Sequence, residues 1–359
     1  MLSIIVPTYN EAENLPLLCQ KISEAMIGRK YEILIMDDRS VDGTDRVCES
    51  LSVRYPLSFF QSNDRPRDLS LSVMEGISEA AYDFVVVMDA DLSHPAEMLP
   101  ILSDALSAQI SNFILGSRYV KEGSFDRDWS IWRFLNSYLA TLLAKPLVKC
   151  SDPMSGFFIF DKTNLDLSAL RPIGYKIGLE IMMRGRFDQV VELPIQFRDR
   201  EKGESKMNLS QQFKYLRHLR RLYLFKYGTF AEFISFGVVG GSGFLVDILF
   251  YFLFQMFGLP HLMARALSFF PAASWNWVLN RMTTFGERKK RPKTRQWLEF
   301  IASGVVGFGI NYGVYAVLTT RLDFFDDYRV LALVAGVACG SIFNFAAASL
   351  FVYSEKRHQ

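Results

Sequence analysis

The stretch VVVMDADLSHP, residues 85–95, decides the fold of this protein. Its apolar β-forming residues predict a strand that is buried on both faces, as in a parallel sheet covered by helices. The strand ends in two aspartates, Asp89 and Asp91, which stand one residue apart and repel each other. Either a cation sits between the two carboxylates, or both face water at the end of the strand.

Similar strands alternate with helices on both sides of this stretch. Strands are predicted at 2–7 (LSIIVP), 31–38 (YEILIMDD), 57–62 (LSFFQS) and 113–117 (FILGS). The segments between them have the apolar periodicity of helices. This alternation predicts an α/β domain with a Rossmann-like, mostly parallel sheet that is covered by helices on both faces.

Polar clusters follow three of the predicted strands: PTYNE at 7–11, DDRS at 37–40 and DADLSH at 89–94. Open α/β sheets bind ligands at the carboxyl ends of their strands, where the strand order reverses. With the strands in the order 3-2-1-4, the three clusters meet in one crevice. Polar loops are an ordinary feature of strand ends, but three acidic ends on one rim favour a binding site.

The absence of two nucleotide-binding motifs narrows the class of ligand that this crevice could bind. The sequence has no G-x-G-x-x-G after the first strand and no G-x-x-x-x-G-K-[ST], so a redox dinucleotide or a P-loop nucleotide is disfavoured. The charge of a bound diphosphate must then be met by a cation and by Arg or Lys. Carboxylates at Asp89 and Asp91 suit Mg²⁺ or Mn²⁺, which keep several waters and take further ligands from phosphate.

Composition divides the chain of 359 residues into two halves. Its 40 Lys and Arg against 38 Asp and Glu give a net charge of +2, which argues against a nucleic-acid partner. Half of the residues are hydrophobic, and this excess lies after about residue 229. Four cysteines without a C-x-x-C pair indicate a reducing compartment and no zinc site. The segment MLSIIVPTYNE lacks a basic n-region, so we expect the first domain to stay in the cytosol.

Six motifs carry a resemblance to a known family. VPTYNEAENL, MDDRSVDGT, MDADLSHP, GSRYV, DPMSGF and GESK resemble, in this order and spacing, glycosyltransferase family 2. More narrowly, they are similar to the polyprenyl-phosphate hexose transferases, a group that includes the dolichol-phosphate mannose synthases. The resemblance covers residues 2–225 and implies a GT-A catalytic domain over 1–206. It also implies a metal-dependent, inverting transfer of a hexose, in the first instance mannose from GDP-mannose, to polyprenyl or dolichyl phosphate.

The resemblance assigns roles residue by residue. Asp89 and Asp91 would bind Mg²⁺ or Mn²⁺ and, with Arg118, form the catalytic set. The acceptor phosphate would bind Arg118, Arg133 and Ser137. The nucleotide sugar would bind Pro7, Tyr9, Glu11, Met36, Asp37, Asp38, Asp89, Ala90, Asp91, Lys176, Arg200 and Lys206.

Three positions depart from the pattern of the family. Ser93 stands where many relatives have Gln, Arg39 interrupts an acidic run, and Asp68 stands where Gly is common. His94 is expected to cap or pack rather than to bind metal, because no second His is nearby. Glu180 and Glu192 are expected to be structural.

The reaction needs no dedicated base. A lipid phosphate monoester has a second pKa of about 6 and is largely a dianion at neutral pH. It can attack the sugar C1 directly, provided that the protein aligns both substrates and neutralises the departing diphosphate.

The second half of the chain predicts membrane structure. Residues 207–228 form a basic amphipathic helix that suits a membrane interface, and 130–148 is a second candidate. Apolar stretches at 231–257, 261–280, 299–320 and 330–352 predict a transmembrane domain of four helices over 229–359. The loop RMTTFGERKKRPKTR and the tail are basic, which places them and the catalytic domain in the cytosol.

An internal repeat organises this half, since FISFGVVGGSGFLVD (233–247) parallels FIASGVVGFGINYGV (300–314). Two hairpins of the same orientation follow, with Gly237, Gly240, Gly304 and Gly307 expected at close helix contacts. The repeat resembles the GtrA-like membrane family, which is associated with the handling of sugar lipids. Asp247 is an intramembrane carboxylate, and a functional and a structural role are equally supported.

Other functions remain as alternatives. The donor could be UDP-glucose or another UDP-sugar, or the chain could be a sugar-lipid translocase with an accessory transferase domain. A processive polysaccharide synthase is disfavoured because no Q-x-x-R-W occurs. An inactive scaffold is disfavoured by the intact acidic motifs.

Overall fold

The computed structural model describes residues 1–62, 66–125, 131–197, 209–288 and 291–354, with the backbone alone at 125, 131–134, 209 and 326. It divides the chain into two compact units, Met1–Lys226 and Tyr227–Gln359. The strands of the first unit are β1 Leu2–Thr8, β2 Tyr31–Asp37, β3 Leu57–Gln61, β4 Phe84–Val87, β5 Phe113–Ser117, β6 Ser124–Phe125, β7 Phe158–Asp161, β8 Val190–Pro194 and β9 Gln196–Phe197. Its helices are α1 Leu15–Ala25, α2 Thr44–Ser52, α3 Leu69–Glu79, α4 Leu99–Ser107, α5 Ile131–Ala144, α6 Ile177–Arg184 and α7 Leu209–Tyr227.

A seven-stranded sheet with the order β3-β2-β1-β4-β7-β5-β8 forms the centre of the first unit. Strand β7 is antiparallel to both of its neighbours, and the other pairs are parallel. Strands β6 and β9 form a separate parallel pair. The predicted Rossmann-like α/β fold and the order 3-2-1-4 are confirmed. The reversal of strand order lies at β1 and β4, where the polar clusters were expected.

Both faces of the sheet are buried, as the unbroken apolar strands predict. Ile4 and Ile5 are neighbours on β1 and point to opposite faces, and neither is exposed to solvent. Ile4 packs with Leu18 and Ile22 of α1, whereas Ile5 packs with Val73 of α3. Helices therefore cover both faces of the sheet, with α1 on one face and α3 on the other.

Helix α7 packs onto the first unit through Tyr215, His218, Leu219 and Leu222, which recur at helical spacing. The apolar periodicity of this helix does not coincide with its buried face, because Phe213 is 69% exposed. The difference arises at His218, a polar residue that is fully buried because Glu180 of α6 binds its Nε2 at 2.7 Å. Apolar periodicity does not predict the burial of a histidine whose ring is bound by a carboxylate.

The second unit consists of helices α8 Thr229–Met256, α9 His261–Met282, α10 Lys293–Arg321, α11 Asp323–Asp327 and α12 Arg329–Ala347, the last continued by a π-helical turn at Ala348–Val352. Helix α8 packs along α9, and α10 packs along α12. Helices α8, α10 and the segment Arg329–Val352 are long and apolar enough to cross a membrane. A fourth span is not confirmed, since α9 carries Arg265, Asn276 and Asn280 along its length.

The start of α8, the end of α9, the start of α10 and the end of α12 lie at one end of the second unit. Arg288 donates to Glu232 at 2.7 Å and to the carbonyl of Ser349 at 2.6 Å. Gln296 donates to the carbonyl of Val352 at 3.1 Å. These contacts join both hairpins at the same end, so the two copies of the repeat run in the same direction, as predicted.

The prediction for the repeated glycines was half right. A Cβ on Gly307 would overlap the side chain of Asn344, and one on Gly304 would touch Phe269 at 3.7 Å. A Cβ on Gly237 or Gly240 would meet no atom within 4 Å. These two glycines therefore lie against open space rather than against a neighbouring helix.

Candidate active site

The loops that follow β1 and β2 are tied together by side chains. Asp37, which is 1% exposed, accepts hydrogen bonds from Thr8, from the backbone and side chain of Ser40, and from Gln61. The amide of Val41 donates to the side chain of Asn10, whose φ of 56° lies in the left-handed region. Asp37 thus holds three strand ends together, and its neighbour Asp38 is 8% exposed at the same rim.

The loop PTYNE, residues 7–11, forms one wall of the crevice. Arg67 lies over the ring of Tyr9 at 4.3 Å and donates to its hydroxyl at 2.5 Å. Glu11 accepts a hydrogen bond from Asn14 at 2.8 Å. Pro7 is buried at the end of β1, and the side chain of Met36 lies in the core.

Asp68 has a structural function that its sequence position did not suggest. It caps α3 by accepting from the amide of Ser70 at 3.0 Å, and it also accepts from the amide of Gly174 at 3.0 Å. Gly174 has a φ of 83°, which suits glycine. The cap therefore fixes the loop that carries Lys176 to the start of α3.

The two aspartates of the opening motif lie directly after β4. Asp91 is 7% exposed, and its Oδ1 accepts from the hydroxyl of Ser93 at 2.6 Å. Asp89 is half-buried, and Gly156 lies beside it. A Cβ on Gly156 would stand 3.6 and 3.7 Å from the two carboxylate oxygens of Asp89. The missing side chain leaves room next to this carboxylate.

His94 supports the same loop as a neutral ring. Its Nδ1 accepts from the amide of Asp89 at 2.9 Å, so the proton lies on Nε2, 3.8 Å from Oδ2 of Asp89. The ring stacks on Phe157 with centroids 5.1 Å apart. Burial lowers the pKa of His94 even though Asp89 and Asp91 act in the opposite direction. His94 caps and packs, as expected from the sequence.

Arg118 follows β5 and is held by a buried carboxylate. Its Nε and Nη2 donate to Oδ2 and Oδ1 of Asp152 at 2.7 and 2.8 Å. Asp152 is fully buried, and its amide donates to Glu192 of β8 at 3.1 Å. Burial lowers the pKa of Arg118, but the hydrogen bonds and the charge of Asp152 outweigh it, and the pKa lies above its usual value. Arg118 thus stays charged and fixed in direction.

Lys176 is the second cation of this site. Its Nζ donates to the carbonyl of Met154 at 2.7 Å. Burial, and then repulsion by Arg118, lower the pKa of Lys176 to about 8, although Asp152 and Asp89 act in the opposite direction. Arg118 and Lys176 repel each other, and both interact with Asp89, which follows β4. Such a polarised site suits an anion and a metal ion together.

Several expected contacts cannot be placed. Arg200 and Lys206 lie outside the described residues, and Arg133 is described as backbone on α5 without its side chain. Ser137 is half-buried on the same helix. Among the described residues no group of three or more His, Cys, Asp or Glu side chains could hold a metal ion.

Sequence reasoning missed three residues of this site: Gly156, Asp152 as the partner of Arg118, and Glu192 as the partner of Asp152. The motif DPMSGF contains the first two, and their position in a motif of the family was the available signal. Glu180 and Glu192 are structural, as expected. Glu180 accepts from the amide of Arg171 and binds His218, while Glu192 accepts from the amides of Ser151 and Asp152.

Comparison with protein families places two models on the chain. The model for glycosyl transferase family 2 matches residues 3–166. The model for the GtrA/DPMS transmembrane domain matches residues 235–353. The two matches fall within the two compact units of the structure.

Curated relatives match either nearly the whole chain or about two thirds of it. A dolichol-phosphate mannosyltransferase of Pyrococcus furiosus is 37% identical over 343 residues, which cover 93% of this chain and 94% of the relative. A dolichol-phosphate mannosyltransferase of Saccharomyces cerevisiae is 35% identical over 239 residues, covering 63% of this chain and 88% of the relative. Among solved structures, the chain is similar to glucosyl-3-phosphoglycerate synthase from Mycobacterium tuberculosis in a complex with Mn²⁺, UDP and glucosyl-3-phosphoglycerate. The TM-score is 0.47 at 18% identity, and the match covers 64% of this chain and 80% of that one.

Proposed function

The chain belongs to the dolichol-phosphate mannosyltransferases of glycosyl transferase family 2, and we propose that it transfers mannose from GDP-mannose to a dolichyl or similar polyprenyl phosphate. It is a glycosyltransferase and a membrane protein with a C-terminal GtrA/DPMS transmembrane domain. The observation that carries the proposal is the charge pattern of the crevice. Two carboxylates follow β4, and two partly buried cations, Arg118 and Lys176, interact electrostatically with one of them, Asp89.

The residues after β4 fit a divalent metal ion. Asp89 and Asp91 supply hard oxygen ligands, and Gly156 leaves space beside Asp89 that a side chain would fill. With only two carboxylates from the described residues, the remaining ligands would be water and the diphosphate. When bound, Mg²⁺ or Mn²⁺ would supply positive charge to the diphosphate as it leaves.

The residues of the chain have separate tasks in the transfer. An oxygen of the lipid phosphate forms a bond to C1 of the sugar from the face opposite the diphosphate. The bond from C1 to the diphosphate breaks, and its electron pair leaves with the nucleoside diphosphate. No proton has to move, because the attacking phosphate is already a dianion. Arg118 and, on α5, Arg133 and Ser137 orient the acceptor phosphate. Lys176 stabilises the developing charge of the leaving group.

The nucleoside is assigned to the wall formed by β1 and β2. Tyr9, Glu11 and Asp38 lie on this rim and suit contacts to base and ribose, with backbone contacts from Pro7, Met36 and Ala90. Because Asp37 is occupied by Thr8, Ser40 and Gln61, it acts by holding the wall in shape. Arg200 and Lys206 complete the donor site in this proposal.

Helix α5 is assigned to the membrane surface. Leu135, Tyr138, Leu139 and Leu142 recur at helical spacing on α5, and each is about half exposed to solvent. Such a stripe costs free energy in water and is stabilised by lipid. We assign four spans to the second unit, with the catalytic unit, the loop 283–292 and the C-terminus in the cytosol, since these loops are basic.

The test uses full-length protein in detergent with dolichyl phosphate and Mn²⁺ or Mg²⁺. Labelled GDP-mannose is supplied beside labelled UDP-glucose and UDP-GlcNAc, and the label that enters the organic phase is counted. Label from GDP-mannose alone is expected, and EDTA and Asp91→Asn should each abolish it. Asp104→Asn is the matched control, because Asp104 lies on the surface in an ion pair with Arg29. Label from UDP-glucose alone would refute the assigned donor.

A further inference from the structure

The loop that leads to Lys176 is attached to helix α3 at Gly174. The N–H of Gly174 donates to Oδ2 of Asp68 at 3.0 Å. The carbonyl of Gly174 accepts from the hydroxyl of Ser70 at 2.6 Å and from the amide of Ser70 at 3.2 Å. Asp68 caps α3, and Ser70 lies in its first turn. Both polar groups of the Gly174 backbone are therefore bound by the start of one helix.

The position of Gly174 sets the position of Lys176, which follows it by two residues and caps α6. Two residues of chain span at most about 7 Å, so a displacement of Gly174 is passed on to the backbone of Lys176. The lysine side chain is long and loses much rotamer freedom when it is ordered. Its Nζ donates to the carbonyl of Met154 at 2.7 Å, in the segment that continues to Gly156 beside Asp89. A fixed backbone at Lys176 lowers the entropic cost of holding the amine there.

Helix α3 is a firm base for this attachment because it lies unusually close to the sheet. A Cβ on Gly76 of α3 would stand 2.7 Å from the side chain of Ile5 on β1 and 3.0 Å from that of Met36 on β2. Glycine thus lets the helix approach both strands. The start of α3 is held against the same two strands whose ends form the wall assigned to the nucleoside.

Arg67, the residue before Asp68, contacts that wall directly. Its guanidinium lies over the ring of Tyr9 at 4.3 Å and donates to the hydroxyl at 2.5 Å. Asp68 has an extended backbone, with φ of −161° and ψ of 116°. Successive side chains of an extended chain point to opposite sides. Arg67 therefore contacts the nucleoside wall, while Asp68 binds the loop that carries Lys176.

We infer that Asp68 is a positioning residue for the transfer: it holds Gly174, and through it the amine of Lys176, in a fixed place relative to the wall that contains Tyr9. The inference rests on the proposed function, which assigns Lys176 to the diphosphate of the donor. Asp68 itself touches no substrate in this arrangement. Its effect on the reaction passes through Lys176.

Asp68→Asn separates this role from the helix cap. The two contacts of Asp68 use different oxygens, and Asn replaces one oxygen by an NH₂ group that cannot accept a hydrogen bond. Asn caps helices as well as Asp, so the local contact to the amide of Ser70 is retained and the contact to Gly174 is lost. Asp166→Asn is the matched control, because Asp166 caps an exposed turn through the amide of Ser168 at 2.9 Å with the same spacing.

The first measurement is hydrogen exchange of the full-length protein in detergent without substrate. In Asp68→Asn the peptide 171–176 should take up about one more deuteron at early times, because the amide of Gly174 has lost its acceptor. The peptide 69–79 of α3 should exchange as before, since the cap is kept. Asp166→Asn should leave the peptide 171–176 unchanged. Unchanged exchange of 171–176 in Asp68→Asn would overturn the inference.

The second measurement is a kinetic cycle with Lys176→Met. In the otherwise unchanged protein, Asp68→Asn should lower kcat for mannosyl transfer at least about tenfold and change KM for GDP-mannose less than about twofold, because it displaces a group that acts on the leaving diphosphate. In the Lys176→Met background the same substitution should change kcat less than about twofold. Equal losses in both backgrounds would show that Asp68 only stabilises the fold, and would overturn the inference.

The choice of donor separates this inference from the proposed function. Transfer from UDP-glucose alone would refute the proposed donor. The same cycle would then be measured with UDP-glucose, since both donors carry the diphosphate on which Lys176 acts. A loss that disappears in the Lys176→Met background would support the positioning role of Asp68 with either donor, and a loss that persists there would overturn it.

Discussion

The ion pair between Arg118 and Asp152 provides the sharpest test of how the acceptor site is built. Both partners are buried, with side-chain exposures of 10% and 0%. Replacing Asp152 by Asn keeps the shape and removes the charge. One oxygen remains as an acceptor for Arg118, but the guanidinium is left without a counter-charge in an environment that solvates it poorly. We therefore expect Asp152→Asn to damage both stability and transfer.

The magnitude follows from the geometry. Breaking a buried pair by removing one charge costs on the order of 3 to 5 kcal/mol, and the oxygen that Asn retains places this case near 3 kcal/mol. A unit of about this length loses roughly 2 to 4 °C of melting temperature per kcal/mol, so the expected decrease is about 6 to 12 °C. Transfer should fall about 100-fold in kcat/KM for the lipid phosphate, which corresponds to about 2.7 kcal/mol of lost transition-state stabilisation.

The structure supplies an assay for this unit alone. Cys19 and Cys48 are fully buried in the first unit, and burial raises the pKa of each thiol to about 12. They react with a fluorogenic maleimide only after the unit unfolds. Replacing the half-buried Cys150 of the first unit and the exposed Cys339 of the second unit by Ser removes their background signal. Fluorescence on heating then reports the unfolding of the catalytic unit in the full-length protein.

The matched control is again Asp104→Asn, which removes the same type of bidentate contact between Asp104 and Arg29 at the surface. Because solvent screens this pair, neither the melting temperature nor transfer should change measurably. If Asp152→Asn behaved like Asp104→Asn, Arg118 would not depend on Asp152, and its assignment to the acceptor phosphate would lose its structural basis.

Three further predictions address other parts of the first unit. Since the pKa of Lys176 is lowered to about 8, its charge is present below that pH and lost above it. In a pH–rate profile, kcat/KM for the donor should therefore fall about tenfold per pH unit above pH 8. A profile that stays flat to pH 10 would contradict the role of Lys176. Gly156→Ala should reduce transfer at least about tenfold with an unchanged melting temperature. The new Cβ would lie 3.4 to 3.7 Å from His94 and the carboxylate of Asp89, so it fits but occupies the space beside Asp89. Unchanged transfer would show that this space is not used. His218→Ala should expose α7 to limited proteolysis, because Glu180 then loses a buried partner. Burial raises the pKa of Glu180, but the hydrogen bonds from His218 and from the amide of Arg171, together with the charges of His218 and Arg184, lower it below its usual value. An unaltered digestion pattern would show that α7 is held by apolar contacts alone.

The architecture of the crevice could be predicted because it depends on local patterns and general topology. Unbroken apolar strands, helices between them and the reversal at β1 bring three acidic loops together, whatever the details of packing. Strand β7 could not be placed in this way. Its sequence FIFD is short and apolar, and nothing in it specifies that it inserts antiparallel between β4 and β5. Yet that insertion brings Gly156 next to Asp89.

The sign of the charges at the site could be predicted from the sequence, but the residues that pair with these charges could not. An arginine after β5 and a lysine further along the chain were expected to meet phosphate, and in the structure both interact electrostatically with Asp89, which follows β4. That Arg118 is held by Asp152, and Asp152 by Glu192, depends on pairing between residues that are 34 and 40 positions apart. Apolar periodicity contains no information about such pairs. Asp68 illustrates the same limit, since its link to Gly174 spans 106 positions.

The repeated glycines of the second unit show why a pattern of small residues cannot by itself identify a helix contact. Gly240 and Gly307 occupy the same place in the two copies of the repeat. In the second copy Asn344 lies over Gly307, whereas in the first copy Asn276 lies over Gly243, about one helical turn further along. This shift leaves Gly240 facing empty space in the first copy. A glycine removes a side chain, but the position of the partner residue decides whether a helix or a cavity fills the space. Two segments of similar sequence therefore pack differently, with Asn344 against Gly307 in the second copy and open space at Gly240 in the first.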